Sequence, residues 1–279
     1  MLLATVLALA AAVMHAAWNL VAKRAEGDRY LVLWAQFFAA GLLTLPLLIG
    51  YQLIWGIPWQ GYMWAAISGC VHVPYMWLLA RAYNLGDFSV SYPVARGGGA
   101  AFAAIGGVVA LNDHLSPLAI VGIGIVVCGL ILLAYGAHGV ALGLALLAAV
   151  SIGLYSTIDG QGARSTPEVI GFVLATMCAG GITNTTAALI IRRPADMSAM
   201  FIANWRRAFI TGLASVVTYG MVLVAFTYAP IGYVTALRES SVVLAALAGW
   251  RLLGEGDHRR RLTAAVVVFS GLVVLVVGR

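Results

Sequence analysis

Apolar residues run along this chain in stretches of about twenty, each closed by a short polar or Gly/Pro gap. A helix rises about 1.5 Å per residue, so one such stretch reaches across a hydrocarbon core of about 30 Å. The pattern predicts ten membrane-spanning helices, at residues 3–22, 30–50, 61–80, 88–111, 117–135, 139–158, 169–191, 208–228, 231–250 and 262–278. The clearest break is Lys23-Arg24-Ala25-Glu26-Gly27-Asp28-Arg29. Asn112-Asp113-His114-Leu115-Ser116-Pro117 supplies turn formers and a proline suited to the first helical position. The longest gap runs from Arg192-Arg193-Pro194 to Arg206-Arg207, and Gly254-Glu255-Gly256-Asp257-His258 precedes the last span. The joins at Gly136-Ala137-His138-Gly139 and Tyr228-Ala229-Pro230 are short.

Composition agrees with a lipid environment. Hydrophobic residues make up 62% of the 279 and charged ones 9%, with a mean hydropathy of +0.98. A soluble domain carries about a quarter charged residues, so in water this chain would expose large apolar surface. The net charge of +6 sits in short gaps between apolar runs, not in a basic stripe with interleaved aromatics, which argues against nucleic acid as a partner. Cys70, Cys128 and Cys178 are far apart within apolar runs and read as packing residues, with no disulfide framework. The first apolar run begins without a charged segment ahead of it and reads as a retained helix.

The chain repeats itself faintly. Leu7-Ala8-Leu9-Ala10-Ala11-Ala12-Val13 resembles Leu144-Ala145-Leu146-Leu147-Ala148-Ala149-Val150, with Trp18 and Tyr155 at matching places downstream. Val90-Ser91 with Asp113-His114 parallels Val234-Thr235 with Asp257-His258 at the same offset. Two copies of an odd number of spans run oppositely through a membrane, the inverted-repeat plan of many transporters. The predicted fold is an all-α membrane protein of two inverted five-helix repeats, 1–136 and 137–279. Basic residues follow spans one, three, seven and nine, which an inverted arrangement brings to one side; by the positive-inside rule that side is cytoplasmic and the termini lie outside.

Three ionisable residues fall well inside spans: Arg96 in the fourth, Arg238 and Glu239 in the ninth. Unpaired in lipid they would cost on the order of 8–10 kcal/mol together, so they pair or face a wet cavity. The expected arrangement is an Arg96–Glu239 contact with Arg238 facing the cavity, because adjacent helical residues point about 100° apart. A salt-bridged staple between the two halves is the structural alternative. Tyr92-Pro93-Val94-Ala95-Arg96-Gly97-Gly98-Gly99 suggests either a helix interrupted at a binding site or a kink with close packing through small residues. His15 and Asn19 lie one turn apart with Trp18 beside them, a polar-aromatic face suited to lining a cavity, and Tyr155, Ser156 and Asp159 echo it in the sixth span. His72 and Tyr75, with Pro74 and Trp77, mark the third; for either histidine an interhelical hydrogen bond competes with proton uptake. Motifs for metal or acyl-transfer catalysis are absent from the sequence, and no cofactor is expected.

These segments resemble the drug/metabolite transporter superfamily, in its EamA-type ten-helix branch, over nearly the whole chain. The resemblance rests on His15-Ala16-Ala17-Trp18-Asn19 with Lys23-Arg24, on the run Ala80-Arg81-Ala82-Tyr83-Asn84-Leu85-Gly86-Asp87-Phe88 into Tyr92-Pro93, and on Gly254-Glu255. Ala225-Phe226-Thr227-Tyr228-Ala229-Pro230-Ile231-Gly232 forms the second-half counterpart. In place of the family's usual Gly-Glu, the first half carries Leu111-Asn112-Asp113-His114, taken as a detail of lineage. The resemblance implies a central cavity lined by spans 1, 3, 4, 6, 8 and 9 and secondary transport by alternating access. It also implies both termini in the cytoplasm, opposite to what the basic loops suggest.

The expected function is secondary transport, as an exporter, of a small polar metabolite such as an amino acid or organic anion, in the bacterial inner membrane. Two mid-membrane arginines suit a carboxylate or phosphate, and Glu239 or His15 is the candidate for proton coupling. The expected partners are a small-molecule substrate and the bilayer, and the expected state is a monomer or weak dimer. One rival is an exporter of cationic drugs, which needs an accessible carboxylate; a rival of another class is a non-transporting scaffold or lipid-modifying protein.

Overall fold

The computed structural model describes residues 1–23, 27–85, 88–133, 139–241, 243 and 258–278. Among them the chain forms ten helices and no strand. These are α1 (Leu2–Lys23), α2 (Arg29–Ile54), α3 (Trp59–Leu85), α4 (Phe88–Leu111), α5 (Pro117–Leu133), α6 (Gly139–Ser165), α7 (Val169–Ile191), α8 (Pro194–Phe226), α9 (Ile231–Arg238) and α10 (His258–Val277). Among the described residues, six stretches are long and apolar enough to cross a membrane: α2, α3, Val94–Leu111 of α4, α6, α7 and α8; shorter apolar stretches lie in α1, α5 and α10. The Gly86-Asp87 and Gly254-Glu255 motifs, the expected boundary at 136/137 and residues 244–250 of the ninth predicted span lie outside the described residues.

Local chemistry sets the helix ends. Asp28 caps α2 by accepting from the Tyr30 N–H at 2.8 Å. Ser116 accepts from the Ala119 N–H at 3.0 Å, and Pro117 occupies the first position of α5. The longest predicted gap is not a loop. Pro194 starts α8, which runs to Phe226 with a kink at Asn204 (φ −122°, ψ 17°). Its first turn buries Met197 beside Tyr30, Leu31 and Trp34, and this apolar contact is what holds the basic segment helical.

Helix continuity decides between the two readings of the fourth span. α4 runs unbroken through Arg96-Gly97-Gly98-Gly99. Its glycines serve packing: an added Cβ would come 2.9 Å from Leu130 at Gly97, 2.8 Å from Ala149 at Gly98 and 2.5 Å from Ile152 at Gly99. The close approach of α4 to α5 and α6 offsets the poor helix propensity of glycine. The interruption lies instead in the ninth span. Helix α9 ends at Arg238 after eight residues, Glu239 caps it (φ −68°, ψ −10°), and helical conformation resumes at Ser240, Ser241 and Val243. The Ser240 hydroxyl donates to the Leu237 carbonyl at 2.8 Å, supplying a partner that the broken ladder does not.

In the bundle α4 packs on α6, α5 on α10, α3 on α6 and α7, α2 on α7 and α8, and α1 on α8. One end of the bundle is tied at Arg164, whose guanidinium donates to Asp113 at 2.7 Å and to the carbonyls of Phe226 (2.8 Å) and Ala229 (3.1 Å). The second oxygen of Asp113 accepts from the Ile231 N–H at the start of α9, at 2.7 Å. Ser116 bonds to Gly278 at this same end. Asp113 is therefore a structural tie. The opposite end carries Asp28–Arg192 at 2.8 Å, more exposed. Outward faces are apolar, with Leu53, Val109 and Ile190 more than three-quarters exposed, as lipid contact requires.

Gly99→Leu is expected to force α4 away from α6, at a cost of about 1–3 kcal/mol or more. Its melting temperature in detergent should fall well below that of Gly124→Leu, because a Cβ added at Gly124 would have no neighbour within 4 Å. Equal melting temperatures would show that the glycine contact carries no weight.

Candidate functional site

The charges predicted to lie at membrane depth meet in the middle of the bundle. Arg96 of α4 holds Glu239 with two nitrogens: Nε donates to Oε2 at 3.0 Å and Nη2 lies 2.9 Å from Oε1. Both residues are buried, Glu239 completely. Arg238, one residue earlier, stands 3.8 Å from the same carboxylate. Its Nε and Nη2 are buried and make no hydrogen bond among the described residues. The reason is geometric: neighbouring residues on a helix diverge by about 100°, so one carboxylate cannot serve Arg96 and Arg238 alike.

Arg96 and Arg238 both face a cavity that offers about 110 Å³ to the centres of water molecules, against the roughly 10–15 Å³ that one water needs. His15 of α1, His72 and Tyr75 of α3, Tyr155 of α6, and Gln36 and Phe37 of α2 share its wall. Met177 of α7 and Ser215, Thr218 and Tyr219 of α8 complete it. The lining thus draws on α2 and α7 as well as the six spans that the resemblance implied. Two of the other candidates lie elsewhere: Glu239 is sealed behind Arg96, and Tyr92 packs with Val126 and Leu130 of α5 and Ala264 and Val268 of α10. The side chains of Trp18 and Asn19 lie outside the described residues.

One wall is aromatic. His72 stacks on Tyr155 with ring centroids 4.1 Å apart, and Phe37, Tyr75 and Tyr219 meet His72 edge-on at 5.8, 6.0 and 6.3 Å. The His72 Nδ1 hydrogen bond runs to the Ser68 carbonyl of its own helix at 2.8 Å, so it fixes the ring instead of joining two helices. Gln36 bonds to Ser215, linking α2 to α8 across the cavity. Tyr219 donates to Asp159, a carboxylate with no exposed surface.

Sequence reasoning does not single out Gln36, Ser215, Thr218 or Tyr219. Their signal is faint: each is a lone polar group inside an apolar run, and single hydroxyls in such runs also satisfy their own helix, as Thr44 does with the Ala40 carbonyl at 2.8 Å.

Removing one partner of a buried ion pair strands the other, at about 3–5 kcal/mol. Arg96→Gln and Glu239→Gln should each destabilise the detergent-solubilised protein by that order, while the double variant loses clearly less than the sum. Simple additivity in a double-mutant cycle of chemical unfolding would show that the pair is not coupled.

The comparisons with known proteins add a family to this geometry. No curated protein matches the chain. A solved crystal structure superposes on 99% of this chain and 98% of its own at a TM-score of 0.75 and 14% sequence identity, a likeness of fold alone. Residues 139–277, which hold the five helices of the second half, match the model of the EamA-like transporter family. The chain belongs to that family, within the drug/metabolite transporter superfamily, and is a multi-pass membrane protein with an all-helical fold.

Proposed function

We propose that this protein is a secondary transporter that exports small organic anions, amino acids among them, across the bacterial inner membrane. The observation that carries the reading is Arg238. Its guanidinium is buried, lines the cavity and keeps two nitrogens without a hydrogen-bond partner, while the carboxylate beside it is held by Arg96. Arg96 and Glu239 cancel, so the two arginines and one glutamate leave one positive charge facing water-accessible space. A planar fork of donors in that position matches a carboxylate or phosphate in two-point contact. The aromatic wall of Phe37, His72, Tyr75, Tyr155 and Tyr219 supplies apolar contact for the remainder of a small solute.

Two inverted repeats, 1–136 and 137–279, are part of the proposal. The helix neighbourhoods support it: α2 packs on its counterpart α7, α4 on α9 and α5 on α10, and the α3–α6 pair is matched by α8–α1. Under that relation Arg96 and Arg238 occupy corresponding helices, and the cavity lies where the halves face each other.

A cationic substrate is the rival reading, and the aromatic wall is the feature in its favour. Against it, no acidic group lines the cavity surface among the described residues: Glu239 is sealed by Arg96, and Asp159 sits behind Tyr219.

Binding of radiolabelled lactate, succinate, glutamate and tetraphenylphosphonium to purified protein separates the readings. At least one anion should bind, and Arg238→Gln should weaken it about 10–100-fold, the worth of one or more charge-assisted hydrogen bonds. Retention of wild-type anion affinity in Arg238→Gln, or binding of tetraphenylphosphonium alone, would defeat the proposal.

A further inference from the structure

Asp159 is an acidic side chain in the centre of the bundle that the anion reading leaves without a task. It lies on α6 one turn beyond Tyr155 and has no exposed surface. Oδ2 accepts from the Tyr219 hydroxyl, whereas Oδ1 has no hydrogen-bond partner. Among the described residues no arginine, lysine or histidine reaches it within ion-pair distance. A carboxylate kept for structure in such a place has both oxygens satisfied. One kept half-satisfied has room for a proton on the open oxygen.

The polar and charged groups around it come from several helices. Ser68 of α3 borders the carboxyl, Tyr219 of α8 donates to it and Arg238 of α9 acts on it by charge; on the cavity side of Tyr219 stand His15 of α1, His72 and Tyr75 of α3, Arg96 of α4 and Tyr155 of α6. Arg96 is already balanced by Glu239. Two centres remain, Arg238 and Asp159, and the charge of Arg238 acts on Asp159. When Asp159 is ionised it offsets Arg238 through the low-dielectric interior. When an anion sits on Arg238, an ionised Asp159 becomes a surplus negative charge next to it.

From this arrangement, and resting on the anion reading, we propose that Asp159 is a proton-binding site coupled to substrate: the protein takes up one proton at Asp159 as an anion settles on Arg238, and releases both together. The proton comes from cavity water and adds to the carboxylate oxygen, giving a neutral carboxyl. Tyr219, which lines the cavity and holds Asp159, sits between the two. Departure of the anion reverses the step. No net charge moves for a monoanion, so export carries an acid out with its proton and runs on the solute's own gradient. By linkage, what favours the proton at Asp159 favours the anion at Arg238 to the same degree. This assigns coupling to Asp159 in place of Glu239, whose charge is already paired with Arg96, and of His15.

Affinity for lactate, succinate and glutamate, measured from about pH 5 to pH 8 on full-length wild-type protein and Asp159→Asn, tests the proposal. Wild-type affinity should rise on acidification by up to about tenfold per pH unit, the limit for one linked proton. Asp159→Asn, which mimics the neutral carboxyl, should bind as tightly as the acidified wild type and lose the pH dependence. A pH-independent wild type, or an unchanged pH profile in Asp159→Asn, overturns the proposal even where anions bind. If none of the three anions binds wild type, the anion reading fails separately. Infrared difference spectra of wild type against Asp159→Asn then decide the site itself. A protonated-carboxyl band that grows on acidification and is missing in the variant supports it, and absence of such a band over this pH range overturns it.

Discussion

The contact between Arg96 and Glu239 constrains everything near the centre of this bundle. Glu239 is sealed from water and Arg96 only edges the cavity, and the desolvation cost of two buried ions is met only when geometry and hydrogen bonding are both good. Here Nε donates to Oε2 at 3.0 Å, and Nη2 stands 2.9 Å from Oε1 as an ion-pair contact. That requirement fixes the separation of α4 and α9 and forbids either from sliding freely past the other. It also explains why α9 stops where it does. A continuous helix carries Glu239 around by a fixed turn; the tightened end, with the Glu239 N–H donating to both Thr235 (3.2 Å) and Ala236 (3.1 Å) carbonyls, sets the carboxylate at a different angle.

Close backbone approach completes that geometry. Arg96 is followed by three glycines that bring α4 against Leu130, Ala149 and Ile152, and Gly153 on α6 returns the contact against Phe102. At the start of α9, Gly232 meets the backbone of Ala104 on α4, 2.7 Å from where a side-chain carbon would stand. Small residues thus seat α4 and α9 deeply enough for a side chain from one to reach the other. The tie at Arg164, which gathers Asp113, the α8–α9 junction and the start of α9, holds the same two helices at one end of the bundle.

What can be read from the sequence divides along the cost of each feature. Membrane helices are legible because twenty apolar residues have few other uses, and the mid-span charges because burying them is expensive. The pairing of Arg96 with Glu239 follows from sign and position. The role of Gly97, Gly98 and Gly99 does not resolve: glycine marks a broken helix and a tight helix contact with the same letters, and only the neighbours at Ala149 and Ile152 decide. The segment 194–203 reads as loop because it lies between Arg192-Arg193-Pro194 and Arg206-Arg207, although its Met197, Met200 and Phe201 join the cluster of Tyr30 and Trp34. Gln36 and Tyr219 are invisible for a different reason: their meaning lies in Ser215 and Asp159, partners from distant helices.

For a carrier that alternates between two sides of a membrane, some contacts must persist and others must exchange. Breaking Arg96–Glu239 strands a charge in a dry interior, so that pair is the poorest candidate to move. Gln36–Ser215 is cheaper to part, since both polar groups border the cavity and water can replace the lost partner, and on Tyr219–Asp159 the tyrosine side borders it too. Both join the aromatic and polar lining of one helix to that of another: α2 to α8, and α8 to α6. The bundle therefore has a rigid charged centre on α4 and α9 and a looser polar seam centred on α8. A solute anchored at Arg238, on the rigid side of that division, can be exposed or enclosed by movement of the seam without disturbing the charge that binds it.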